Sequence, residues 1–163
     1  MNSPKPTSES GDPAAAPSEA PARRPDVLDR SRQLAAAAAA TALANNAAGV
    51  VVLDVCHQTS LFDYFVIATG TSRRQLHAIS EQIDDVLQKE LGDVRLGIEG
   101  YDESRWIVLD YGSVVIHLFD EESRQFYDLE SLWADAKSVP LESLGIDTVQ
   151  RSRRPAAGDD EVR

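Results

Sequence analysis

The sequence of 163 residues is short of cysteine, of long apolar runs and of basic residues, and each shortage excludes a class of protein. With Cys56 as its single cysteine, the chain cannot form an internal disulfide, and a reducing compartment is expected. No run of about 18 apolar residues occurs, so no membrane span is predicted. The N-terminus resembles neither a secretion signal nor an organellar presequence. We therefore expect a cytoplasmic protein.

The deficit of basic residues points to the kind of partner. The chain has 16 Lys and Arg against 27 Asp and Glu, a formal net charge of −11. Residues 26–138 carry nine basic and nineteen acidic side chains, a net charge of −10. A compact domain this acidic repels phosphate, which argues against direct, sequence-specific binding of nucleic acid. A basic protein is the expected macromolecular partner, and ribosomal proteins are one large class of these.

Composition divides the chain into three parts. Residues 1–25 are rich in Pro, Ala, Ser and Glu and are predicted to be a disordered extension. Residues 139–163 have scattered apolar residues and two prolines and are predicted to be a flexible tail. Between them, residues 26–138 are predicted to form one α/β domain. Its first helix should start at a cap on Asp26, run through an alanine block to about Asn46, and pack only lightly, because large apolar residues are few on it.

The central residues alternate between strand and helix signals. β-Branched and aromatic runs predict strands at 50–55, 62–69, 94–99, 106–111 and 114–119. Apolar residues at helical spacing predict a helix capped by Ser72 and ending near Leu91, and a last short helix from Asp128 to Trp133. The order α-β-β-α-β-β-β-α predicts a mixed sheet with helices mainly on one face.

The segment from Trp106 to Phe119 is the most informative part of the sequence. Gly112 and Ser113 separate its two apolar runs, which predicts a two-residue hairpin with Tyr111 opposite Val114. One face of this hairpin is then almost wholly apolar and should face a core. The other face collects a mixed set of side chains: Trp106, Val108, Asp110, Val115, His117 and Phe119.

Two interpretations of the mixed face remain open. Aromatic anchors rimmed by polar groups are typical of a protein-binding surface. Alternatively, the sheet is buried on both faces, although Asp110 and His117 would then each need a buried partner. Leu129, Leu132 and Trp133 fall on one side of the last short helix, where they would either pack on the sheet or extend the same surface with Tyr127.

No constellation in the sequence predicts catalysis, a metal site or a cofactor site. The stretch Gly70–Gln75 follows a strand and opens a helix, but it lacks the Lys-Ser/Thr pair of a P-loop, and capping explains it. Cys56 and His57 lack further ligands nearby in sequence. No strand places two carboxylates two residues apart on one face. An alternative remains, a nucleotidyltransferase using Gly70–Ser72 for phosphate and Asp63, Glu99 or Asp110 for metal.

Four segments carry a resemblance to a known family: DYFVIATGTSRRQLHAI, GIEG, WIVLDYGSVVIHLF and ESRQFYDLESLW. In this order and spacing they resemble the ribosomal silencing factor family, also called RsfS or Iojap, over roughly Asp26 to Val139. The resemblance implies a nucleotidyltransferase-like fold that lacks the catalytic carboxylates, and hence a protein that is not an enzyme.

The resemblance also implies a function. Members bind the large ribosomal subunit at the ribosomal protein numbered fourteen, obstruct joining of the small subunit and so lower translation, notably when nutrients are short. They have been associated with large-subunit maturation in organelles and with homodimers in the free state. The residues that match the family's docking surface are Trp106, Asp110, His117, Tyr127 and Leu129. Val108 and Phe119 join them by the hairpin register, and Trp133 by its helical spacing.

Overall fold

The computed structural model describes residues 22–148. Most of the two predicted tails, residues 1–21 and 149–163, lies outside the described part. The helices are α1 (Pro25–Ala44), α2 (Arg73–Asp84), α3 (Glu121–Tyr127) and α4 (Leu129–Leu132). The strands are β1 (Ala48–Asp54), β2 (Tyr64–Thr69), β3 (Gly97–Glu99), β4 (Trp106–Asp110), β5 (Val114–Phe119) and β6 (Lys137–Ser138). Helix α2 continues as a π-helical segment, Asp85–Glu90, and a 3₁₀ helix, Leu141–Leu144, follows β6.

The strands form one mixed sheet in the order β3-β4-β5-β2-β1-β6. Strands β2 and β5 pair in parallel at its centre, and all other neighbours are antiparallel. Among residues 22–148, the long helices α1 and α2 lie on one face of the sheet and the short α3–α4 segment lies on the other. The predicted fold class, α/β with a mixed sheet and helices mainly on one face, is confirmed.

The hairpin has the predicted register. Tyr111 N–H donates to the carbonyl of Val114 over 3.0 Å, and pairing continues outward to Trp106 opposite Phe119. Gly112 has φ +80°, which a side chain at this position would strain. The apolar face of the hairpin is buried as expected: each of its six residues is at most 4% exposed.

Helix α1 corrects the expectation of light packing. Ala35, Ala38, Ala39 and Ala42 have no exposed surface, and they belong with Leu34 to the main core cluster. Methyl side chains let the helix approach the sheet closely, so the alanine block itself forms the buried face. The expected cap is also wrong: Arg24 is the N-cap, with no side-chain hydrogen bond, and Pro25 opens the first turn, a position that proline favours.

Contacts among the described residues extend past both predicted domain boundaries. Before the helix, Arg23 forms a 2.8 Å ion pair with the buried Asp63. At the other end, β6 pairs with β1, and Val139 N–H donates to the carbonyl of Val52 over 2.8 Å. Apolar residues from the expected tail then pack against the main core: Val139, Leu141, Leu144 and Ile146. The ordered domain therefore reaches beyond residue 139. Within residues 22–148, no helix has the length and apolar character needed to cross a membrane.

Candidate functional site

Trp106 lies at one end of the hairpin face opposite the main core, where it is paired with Phe119 and meets α3. Its indole N–H donates to Nδ1 of His117 over 3.1 Å. Its ring stacks on Phe119 with centroids 4.9 Å apart, and Tyr127 from α3 contacts it at 4.7 Å. Trp106 is half-buried, so part of the residue stays accessible at this surface.

Phe119 corrects the expectation of an exposed aromatic pair. It has no exposed surface, because the α3–α4 segment and the ring of Trp106 cover it. Val115 and His117 on the same strand are only 6% and 7% exposed. Strand β5 is therefore buried on both faces, and direct contact of Phe119 with a partner is not possible in this conformation. The neighbouring residues of β4, Val108 and Asp110, are half-buried like Trp106.

Arg124 holds the α3–α4 segment on the sheet. Its guanidinium donates to Glu130 Oε1 over 2.7 Å and to the carbonyl of Gly49 over 2.7 Å, and it also reaches Thr69 Oγ1 at 2.8 Å. Asp120 caps α3 by accepting from the backbone N–H of Ser123 over 2.7 Å. Together, the Arg124 contacts and the Asp120 cap hold α3 in place, with Tyr127 against Trp106.

The short helix α4 divides between core and surface. Leu129 is 7% exposed and lies beneath the α3–α4 segment rather than on its outside. It belongs to a second apolar cluster, on the sheet face opposite the main core, that also contains Leu53, Val55, Phe65, Ile67, Val115 and Phe119. Trp133 is half-buried and meets Phe65 edge-on, with centroids 4.9 Å apart. Of the two interpretations left open for this helix, packing on its own sheet holds for Leu129, whereas Leu132 is 76% exposed.

Sequence reasoning missed one exposed residue of this surface, Phe126. Phe126 is 78% exposed and meets Tyr127, itself 52% exposed, at 5.0 Å. Leu132 is exposed nearby in sequence on α4. Recognising Asp120 as the cap of a helix with Ser123 three positions on would have predicted α3, and with it the outward position of Phe126.

His117 is a buried neutral base with one nitrogen unsatisfied. Burial lowers the pKa of its imidazole to about 4, so the ring is uncharged at neutral pH. An indole N–H can only donate, so Nδ1 accepts from Trp106 and the ring proton resides on Nε2. Nε2 has no hydrogen-bond partner among the described residues, and an unmade bond of this kind costs about 1–3 kcal/mol.

Asp110 has a local structural role beside any contact with a partner. Its Oδ1 accepts from the backbone N–H of Gly112 over 2.8 Å and so braces the hairpin turn. Its side chain also lines a depression on the outer side of the hairpin.

Two shallow depressions border the β4–β5 hairpin surface. The first, called here the Glu103 cleft, has a volume of about 500 Å³ and is lined by Glu103, Arg105, Trp106, Glu122, Phe126 and Tyr127. The second, called here the His117 groove, has a volume of about 320 Å³ and is lined by Phe62, Phe65, Glu99, Val108, Asp110 and His117. Each combines aromatic rings with two carboxylates, the pattern of a surface for a basic partner with apolar anchors.

Comparison with known proteins decides the family. The family model described as "Ribosomal silencing factor during starvation" matches residues 28–163. The chain belongs to the ribosomal silencing factor family. The resemblance seen in the four sequence segments is thereby confirmed.

Individual relatives agree with this assignment. The chain is 37% identical over 95 residues to the ribosomal silencing factor RsfS of Halalkalibacterium halodurans, covering 58% of this chain and 80% of that protein. It is 40% identical over 78 residues to the chloroplastic protein Iojap of Arabidopsis thaliana, covering 48% of this chain and 32% of that protein. A crystal structure of a protein from Chromobacterium violaceum superposes with a TM-score of 0.58 at 33% identity, covering 66% and 86% of the two chains.

The residues considered for nucleotide chemistry are engaged within this silencing-factor domain. Ser72 caps α2, and the N–H of Thr71 donates to Gln75 Oε1 over 2.6 Å instead of facing an open phosphate site. Gly70 is buried against Leu76. Asp63 is held by Arg23 and by Ser31, whose hydroxyl donates to Oδ2 over 2.6 Å.

Cys56 and His57 are the other reactive side chains that the sequence brought into question. Burial raises the pKa of the Cys56 thiol to about 11, so it is not a thiolate at neutral pH. His57 beside it is exposed. Among residues 22–148, no group of three or more His, Cys, Asp or Glu side chains is placed to hold a metal ion.

Proposed function

We propose that this chain binds the large ribosomal subunit through the ribosomal protein numbered fourteen. While bound, it blocks joining of the small subunit sterically and so represses translation, above all when nutrients are limiting. It acts in the cytoplasm, without catalysis and without a cofactor. Family membership supports the proposal, as do the names of relatives that are themselves ribosomal silencing factors.

One observation carries the proposal: a half-buried tryptophan lies beside exposed apolar side chains and acidic depressions. Phe126, Tyr127 and Leu132 would be unusual as a solvated surface, because three large apolar residues lie within seven positions and are each more than half exposed. The Glu103 cleft has two carboxylates, Glu103 and Glu122, and one guanidinium, Arg105, and this net negative charge favours approach of a basic protein. Ribosomal proteins are of that kind.

The docking residues need revision in one respect. Trp106, Val108, Asp110 and Tyr127 remain the proposed contact residues, together with Phe126 and Leu132. Trp133 is retained at the margin. Phe119 and Leu129 support the surface from beneath, and His117, only 7% exposed, supports it by accepting the hydrogen bond from the indole N–H of Trp106.

Co-sedimentation with purified large subunits in a sucrose gradient tests the proposal. Trp106→Ala should lower the affinity by about 2–4 kcal/mol if the ring is a central anchor. Because Trp106 also packs on Phe119, Phe126→Ala serves as a second variant: this side chain is 78% exposed, so its loss should weaken binding without unfolding the domain. Leu61→Ala, at a residue 72% exposed on the β1–β2 connection, is the matched control and should bind normally.

Unchanged co-sedimentation of both variants would remove this surface from the binding site. Normal binding without any effect on joining of small subunits would refute the blocking role. The free protein is proposed to be a homodimer, which sedimentation velocity would measure. Micromolar, magnesium-dependent nucleotide binding in calorimetry would favour the alternative of an enzyme.

A further inference from the structure

The segment that leads into β4, residues 100–105 and called here the β3–β4 loop, is held by side chains of helix α2. The ring of His77 stacks on that of Tyr101, with centroids 4.1 Å apart and planes at 6°. Nε2 of His77 lies 2.8 Å from the carbonyl oxygen of Tyr101, and because a carbonyl can only accept, the imidazole donates this hydrogen bond. One turn further along α2, Glu81 accepts from the Tyr101 hydroxyl over 2.7 Å. The imidazole thus contacts the loop through both its face and its edge.

The backbone of Ser104 depends on these contacts. Its φ is +56°, a conformation that is costly for a residue other than glycine and persists only where the surrounding structure fixes it. The side chain is buried, and its hydroxyl lies 2.6 Å from Nε2 of His77 and donates to the carbonyl of Tyr101 over 2.8 Å. Of these two partners, only His77 lies outside the loop. The imidazole is therefore the contact by which α2 fixes this conformation.

The other side of the same loop belongs to the docking surface. Glu103 and Arg105 line the Glu103 cleft beside Trp106, whereas His77 does not. The carbonyl of Arg105 accepts from the backbone N–H of Asp120 over 2.9 Å, and Asp120 is the residue that caps α3. Helix α2 and Trp106 pack on opposite faces of the sheet. A contact made on one face thus determines where a wall of the cleft lies on the other.

We propose that His77 is a positioning residue for the docking surface: its imidazole holds the β3–β4 loop in the conformation that directs Glu103 toward the basic partner. The inference rests on the proposed function and adds to it a residue of α2 that touches no partner. Without the imidazole, the backbone at Ser104 loses its contact from outside the loop and relaxes toward an ordinary conformation. Glu103 then has no fixed position beside Trp106, and binding has to order the loop first.

Substitutions at His77 test this role through the affinity of the full chain for purified large ribosomal subunits. His77→Ala should lower the affinity about 3- to 10-fold, the effect of losing one hydrogen bond. In His77→Gln the amide nitrogen reaches the position of Nε2 and can donate to Tyr101, so most of the affinity should return. Gln82→Ala, at an exposed position of the same helix, is the control and should bind as the wild type does. Wild-type affinity of His77→Ala would overturn the inference.

A double-mutant cycle separates positioning from direct contact with the ribosome. Glu103→Gln should weaken binding by itself, and His77→Ala should cost little more in that background, because the imidazole acts through Glu103. Additive losses would show that His77 acts independently of the loop, and an unchanged affinity of Glu103→Gln would show that the loop has no part in binding. Either result would overturn the inference.

Hydrogen exchange on the free protein is independent of any ribosome. The backbone N–H of Ser104 donates to the carbonyl of Gly100 over 3.0 Å, and its exchange should be faster in His77→Ala than in the wild type, with amides of β5 unchanged. Unchanged exchange at Ser104 would overturn the inference. Tyr101→Leu removes the other ring of the stack and should show the same two effects, so the test does not depend on one variant. Thermal melts identify a variant that is unfolded.

These outcomes differ from a failure of the proposed function. If Trp106→Ala loses subunit binding while His77→Ala binds like the wild type, the positioning role is wrong and the proposed function stands. No binding by the wild type would refute both.

Discussion

Replacing Arg23 should lower the free energy of unfolding, because its guanidinium compensates the charge of Asp63, a carboxylate that is buried in the fold. The Asp63 side chain is 2% exposed and that of Arg23 is 18% exposed. Oδ1 lies 2.8 Å from Nε of Arg23, in contact as an ion pair but not aligned as a hydrogen bond, while Oδ2 accepts from Ser31 over 2.6 Å. Replacing Arg23 by Ala therefore leaves a buried charge with one neutral donor.

The magnitude follows from that geometry. Breaking a buried ion pair by removing one partner costs about 3–5 kcal/mol. The imperfect alignment and the partial exposure of Arg23 favour the lower end, about 3 kcal/mol. The guanidinium also donates to the carbonyls of Cys56, Thr59 and Phe62 over 3.0–3.1 Å, which ties down the loop before β2. Water can replace some of these bonds, so they add little beyond the ion-pair term.

Urea denaturation of Arg23→Ala, Asp63→Asn and the double variant measures the effect. Arg23→Ala should cost much less in the Asp63→Asn background, because the buried charge is then absent. Arg24→Ala is the neighbouring control: its side chain is 79% exposed and 3.8 Å from Asp26, so a change within about 0.5 kcal/mol is expected. Equal, small effects of the Arg23 and Arg24 substitutions would refute the reasoning.

Two further predictions concern the neighbourhood of Trp106. Gly100→Ala should lower the free energy of unfolding by more than about 2 kcal/mol, because φ is +73° and an added Cβ would lie 1.9 Å from the carbonyl oxygen of Trp106. Gly97→Ala is the control: an added Cβ there has no atom within 4 Å, so it should cost less in the same urea titration. The free energy of unfolding should also fall as the pH drops from about 6.5 toward 4, because the unfolded chain protonates His117 near its ordinary pKa whereas in the folded chain the pKa is about 4. The difference is worth up to about 3 kcal/mol. An unchanged pH dependence in His117→Gln would contradict this assignment.

The hairpin was predictable because its determinants are local. Gly112 fixes the turn, and the alternation of side chains fixes the register and the buried face. The family match and the α/β class could likewise be predicted from the sequence. The exposure of each side chain on the outer face could not, since it depends on where α3–α4 returns onto the sheet.

The burial of Phe119 shows why. Nothing in the strand distinguishes Phe119 from Trp106, and the two are paired across the hairpin. The difference arises from Arg124, which reaches Gly49 and Thr69 on distant strands and holds the segment over one of the two rings. Long-range contacts of this kind have no signature in local periodicity. The packing of Val139 and β6 escaped prediction for the same reason.

Strand β2 pairs with β1, its neighbour in the sequence, and in parallel with β5, from which the whole segment 70–113 separates it. During synthesis, β1 and β2 leave the ribosome well before β5 does, and the centre of the sheet has to wait for it. The chain between β2 and β5 must therefore close into a long loop before these two strands can pair. This requirement slows folding, and until the pair forms, an apolar edge of β2 is open to other chains. The nascent chain is thus most in need of protection in the interval between the emergence of β2 from the ribosome and the emergence of β5.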